Sequence, residues 1–67
     1  MKTRIFMDNG KVYDVDMDAK SLIENHLTDT QGNLLDAFIH FDEFSINPVH
    51  ISSLEENDET KNKSIGF

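Results

Sequence analysis

Oxygen-bearing side chains recur at alternate positions in Asp14-Val15-Asp16-Met17-Asp18, the spacing with which a calcium loop begins. Such a loop also requires glycine at its sixth position, for a sharp turn, and a bidentate glutamate at its twelfth. Ala19 and Asn25 occupy those places, so the geometry that closes oxygens around a cation is missing. Asp14 and Asp16 read instead as the solvent side of a strand, and Asp18 as a helix cap. His26, His40 and His50 offer imidazoles, which serve as metal ligands or proton carriers near neutral pH. Their spacings match no paired-ligand pattern on a helix, and without cysteine there is no thiolate to complete a metal site.

Ser45, Ser52 and Ser53 lie in no glycine-framed elbow and no Ser-x-x-Lys frame. Gly10, Gly32 and Gly66 are too far apart to cradle a phosphate. The chemistry-bearing residues thus predict no enzyme, no metal and no cofactor. Arg4, Lys11 and His40, with Lys2 and Lys20, are the donors a small ligand would need.

The bulk properties narrow the partners. A chain of 67 residues makes a single domain. At that size only about 60% of the unfolded surface is buried, so stability is marginal without a disulfide, a metal or a partner subunit. Cysteine is absent, which points to oligomerisation as the staple and fits a cytoplasmic setting. The formal charge of −7 disfavours phosphate backbones, so nucleic acid is not expected. No apolar run approaches the about 20 residues that a membrane helix needs, and Met1-Lys2-Thr3-Arg4 opens no secretory h-region.

Local patterns predict the elements. Thr3–Met7 and Lys11–Val15 flank Asp8-Asn9-Gly10, the strongest short-range hairpin signal. A two-residue loop would oppose Ile5 to Asp14. A three-residue loop with Gly10 left-handed would oppose Arg4 to Asp14 and Ile5 to Tyr13. The second register pairs opposite charges and gathers Ile5, Met7, Tyr13 and Val15 on one face, so it is preferred. Asp18 caps a helix of about two to three turns carrying Ala19, Leu22, Ile23, His26 and Leu27 at helical spacing, with Lys20 and Glu24 as an outward pair.

Residues 28–33 form a turn-rich loop. Leu34–Phe41 alternates as a strand with Leu35, Ala37, Ile39 and Phe41 inward. Phe44-Ser45-Ile46 is a further short strand ended by Pro48, and Val49–Leu54 supplies the last, entered through a helical turn. From Glu55 to Ser64 there is no apolar residue, which predicts a folded domain over residues 1–56 and a disordered acidic and polar tail over 57–67. Phe6, Val12 and Phe38 fall on outer faces, where an apolar patch marks an interface.

The segment Ser45-Ile46-Asn47-Pro48-Val49-His50-Ile51-Ser52-Ser53-Leu54-Glu55-Glu56 resembles the closing turn of small SH3-like or Sm-like β-barrels. With the Asn9-Gly10 hairpin, the resemblance spans most of residues 3–56. Barrels of this kind recur among uncharacterised proteins of Gram-positive bacteria and their phages. The expected fold is mainly β with one short helix (α+β), an antiparallel barrel of about four to five strands.

Two functions are expected from these features. The favoured one is a non-enzymatic, homo-oligomeric interaction or assembly factor of a phage or mobile element that acts on another protein. The alternative is a protein that binds or sequesters a small, nucleotide-like ligand between subunits.

Overall fold

Asn9 and Gly10 turn the chain back on itself in the computed structural model of the protein, which describes residues 1–57. Gly10 has φ +89°, a conformation that glycine adopts freely. Its N–H donates to the Met7 carbonyl (3.1 Å), and the Met7 N–H donates to the Lys11 carbonyl (2.9 Å). This is the three-residue turn. Strands β1 (Lys2–Met7) and β2 (Val12–Val15) accordingly pair with Arg4 opposite Asp14 and Ile5 opposite Tyr13. Charge pairing and a shared apolar face outweigh the alternative register, because a slip by one residue would turn every side chain over.

Asp18 caps the helix as expected. Its Oδ2 accepts from the Ser21 N–H at 3.0 Å, and α1 (Ala19–Leu22) follows. The helix then widens into a π-helical segment, Ile23–Leu27. A π-turn bonds residues five apart, so Leu22 and Leu27 both reach the core, at 0% and 1% exposure. Ile23 is carried outward to 39%. The Thr28 hydroxyl donates to the Ile23 carbonyl at 2.8 Å and closes the wide turn.

Residues 34–41 do not form the single strand that their alternation predicts. Leu34 makes one isolated bridge with Thr28, and the Leu35 N–H donates to the Leu27 carbonyl at 2.9 Å. The backbone here is drawn to the helix end, and only β3 (Ile39–His40) is strand. Ala37, expected inside, is exposed. β3 pairs with β4 (Ser45–Ile46) across the tight Phe41–Phe44 turn. Pro48 opens the 3-10 turn Pro48–His50 and ends β4.

The last strand, β5 (Ile51–Asn57), runs antiparallel to β1 through Asn57, opposite Lys2. It therefore carries the ladder through Glu55 and Glu56 and one residue, Asn57, into the expected tail. Residues 58–67, the remainder of that expected tail, lie outside the described residues.

The strands divide into a three-stranded sheet, β2-β1-β5, and the two-stranded β3-β4. The fold is mainly strand with one short helix, α+β. These sheets are not joined by a ladder into the closed barrel that the resemblance implies. Ile5, Met7, Val15, Leu22, Leu27 and Ile46 make the core, with Thr3 fully buried among them. The Thr3 hydroxyl is satisfied by the Met17 carbonyl at 2.8 Å.

Three carboxylates tie this framework to pH. The Arg4 guanidinium, hydrogen-bonded to Asp14, holds that carboxyl below its ordinary range. The Ser21 side chain and N–H do the same for Asp18, and the N–H groups of Asn33 and Gln31 for Asp29. A carboxyl with a depressed folded pKa contributes stability above its unfolded pKa and loses it as pH falls through the folded value. The melting temperature should therefore hold constant down to about pH 5, then fall as pH drops past about 3.9 and below. Melts followed by circular dichroism across this range check it, and Asp18→Asn should flatten the slope. A melting temperature unchanged down to about pH 2 would contradict the assignment.

Candidate functional site

The alternation of β1 and β2 leaves one face of the three-stranded sheet without a covering layer among the described residues. Phe6 lies directly opposite Val12, with Val12 48% exposed and Phe6 half-buried. Around this apolar pair stand Arg4 and Asp14, joined Nε to Oδ1 at 3.0 Å, and Glu55, opposite Arg4 on β5. Arg4 is held more firmly protonated by the hydrogen bond and charge of Asp14.

Phe38 is the most exposed large apolar side chain of the described residues, at 70%. It does not join Phe6 and Val12. It lines a cleft of about 370 Å³ with Met7 and Tyr13, which belong to the opposite face of the hairpin. His50 lines the same cleft and pairs with Asp8 through Nδ1 and Oδ2 at 2.9 Å. Together with the Asp8 N–H, which donates to the His50 carbonyl at 2.8 Å, this contact pins the hairpin turn to the 3-10 turn.

A second cleft, of about 530 Å³, opens between β2 and the β3–β4 turn. One wall is the chain from Asp14 to Met17, the other the chain from His40 to Phe44. An aromatic ladder builds it. Tyr13 stacks on Phe44 at 4.4 Å, Phe44 on Phe41 at 5.0 Å, and His26 tilts against Phe41 at 5.7 Å. Such contacts add to the area they bury, and they join hairpin, helix and second sheet. Asp14, Asp16, Asp42 and Glu43 give the cleft its acidic lining.

The donors proposed for a small ligand are placed separately. Arg4 is paired with Asp14, Lys11 follows the hairpin turn, and His40 in the second cleft is hydrogen-bonded to Ser45 Oγ at 2.6 Å. No hydrogen bond joins any two of them among the described residues. His26 and His40 share the acidic cleft while His50 lines the other. No group of three or more acidic or histidine side chains among the described residues is arranged to hold a metal.

Sequence reasoning missed Glu56, whose Oε2 accepts from the Ala19 N–H at 3.0 Å and anchors the helix start to β5. Composition places that residue at the very end of the folded domain and gives it no partner. It also missed the aromatic ladder, since stacking between Tyr13 and Phe44 leaves no periodic signal along the chain. No helix of the described residues is long and apolar enough to cross a membrane. No family model, curated protein or solved structure matches this chain.

Proposed function

We propose that the chain is a non-enzymatic protein-interaction module that self-associates through the outer face of its three-stranded sheet. The observation that carries this reading is the Phe6–Val12 pair on a sheet face that no described element covers. The face also suits a second copy in charge. Arg4, Asp14 and Glu55 lie side by side across the three strands, so the face carries both signs of charge, as a self-complementary isologous contact requires. Small size and the absence of disulfides favour the same solution.

The wider reading is an accessory factor of a phage or mobile element, acting in the cytoplasm on another protein. The resemblance of residues 45–56, with the Asn9-Gly10 hairpin, to small SH3-like or Sm-like barrels supports it. Fold analogy carries no function by itself, so self-association is what is tested.

Phe6→Glu would place a charge in the buried contact and dissociate the particle. Light scattering over a dilution series should show an oligomer for the native chain and a monomer for Phe6→Glu. The native melting temperature should rise with protein concentration, because association stabilises only the folded state. Phe38→Glu, on the other side of the hairpin, should leave the assembly intact. A native chain that is monomeric at every concentration would overturn the reading.

A further inference from the structure

Among the described residues, strand β2 has a ladder neighbour on one side only. The Met7–Lys11 hydrogen bond sets the phase of the hairpin. Counting by alternation, Tyr13 and Val15 bond to β1, while Val12 and Asp14 turn their N–H and C=O groups toward the open edge. The acidic, aromatic-lined cleft runs beside that edge.

We propose that the β2 edge and this cleft take an extended, arginine- or lysine-bearing segment of a partner protein as an added strand. The main chain of such a segment would satisfy the outward groups of Val12 and Asp14, the usual source of affinity in strand addition. Alternate side chains would then enter the cleft. Asp16, Asp42 and Glu43 line it, are exposed, and form no ion pair among the described residues. Phe41 and Phe44 also line the cleft and offer apolar surface to the aliphatic stem of such a side chain.

The charge of −7 further draws a basic partner to the chain. A second copy is a poor occupant, because β1, which carries Lys2 and Arg4, is already paired on both sides, and the edge strands of the same sheet carry acid, Asp14 on β2 and Glu55 and Glu56 on β5. The proposal rests on the reading of the chain as a protein-binding module, but not on self-association through the outer face.

The test uses a fluorescent short peptide alternating arginine and valine, followed by anisotropy with the full chain. Saturable binding that weakens with salt is expected, with amide shifts at Val12 and Asp14 in the proton–nitrogen spectrum. A glutamate–valine peptide should not bind. An arginine–valine peptide N-methylated on alternate amides should lose binding although its charge is unchanged. The combined variant Asp16→Asn, Asp42→Asn, Glu43→Gln should weaken binding about tenfold, its folding checked in the same spectrum.

Absence of binding, equal binding of the acidic or methylated peptide, or shifts confined to other elements would each overturn the proposal. Light scattering on the same samples separates the two readings. An oligomer that ignores the peptide removes the cleft and keeps the outer face, and a monomer that binds it does the reverse.

Discussion

Ile5→Ala will destabilise the domain more than any change on its surface. Ile5 is fully buried at the centre of β1, opposite Tyr13 on one side and Leu54 on the other. Deleting its outer carbons removes apolar burial and leaves a cavity that the flanking ladders prevent from collapsing. Such substitutions cost about 2–5 kcal/mol, and the gentler Ile5→Val about 0.5–1.5 kcal/mol. In a domain of this size each kcal/mol shifts the melting temperature by about 4–8 °C, so a fall of at least about 8 °C is expected for alanine. Val12→Ala, on the exposed face, should change the melting of the dissociated Phe6→Glu background only within about 0.5 kcal/mol. A larger loss at Val12 than at Ile5 would mean that the hairpin faces are reversed.

Gly10→Val should give the next largest loss, and for a different reason. A Cβ at Gly10 would meet nothing within 4 Å, so no clash contributes. The cost is the backbone's own, since φ +89° is a region that L side chains enter only with strain. About 1–2 kcal/mol is expected for a residue with a Cβ, and more for a β-branched one. Gly10→Asn should be milder, because asparagine tolerates left-handed backbone. The ranking glycine, asparagine, valine in urea midpoints checks the mechanism. A flat series would show that the turn re-forms without positive φ.

How much of this was legible along the chain differs by element. The hairpin was readable down to its register, because Asn9-Gly10, the Arg4–Asp14 pair and the alternation of Ile5, Met7, Tyr13 and Val15 all point the same way. Such agreement between local signals is what lets a short segment declare itself. The Asp18 cap and the stop at Pro48 were readable for the same reason: each acts through its own backbone and immediate neighbours.

Leu34–Phe41 misled because alternation records which side of a surface a residue prefers, not whether a neighbouring strand exists to pair with it. With the Leu35 N–H taken by Leu27, the ladder begins only at Ile39. The helix likewise kept its cap and its leucines but changed its winding, since the core needed Leu22 and Leu27 on one side.

The candidate surfaces divide along the same line. Phe6 and Val12 could be assigned to one face from the sequence, because cross-strand partners follow from a turn a few residues away. Phe38 reads from alternation as a further outer-face residue but lines the cleft with Met7 and Tyr13, and the acidic cleft leaves no signal, because both depend on how the β3–β4 turn lies against β2. Residues far apart in the chain, Tyr13 with Phe44 and Ala19 with Glu56, make that arrangement. The sequence alone thus determined the local turns, the caps and the two faces of the hairpin, where the deciding forces act over a few residues. The division into two sheets, the π-turn, the reach of β5 to Asn57 and the cleft beside β2 were decided by tertiary packing. There the burial of distant side chains in one shared core outweighs local preference.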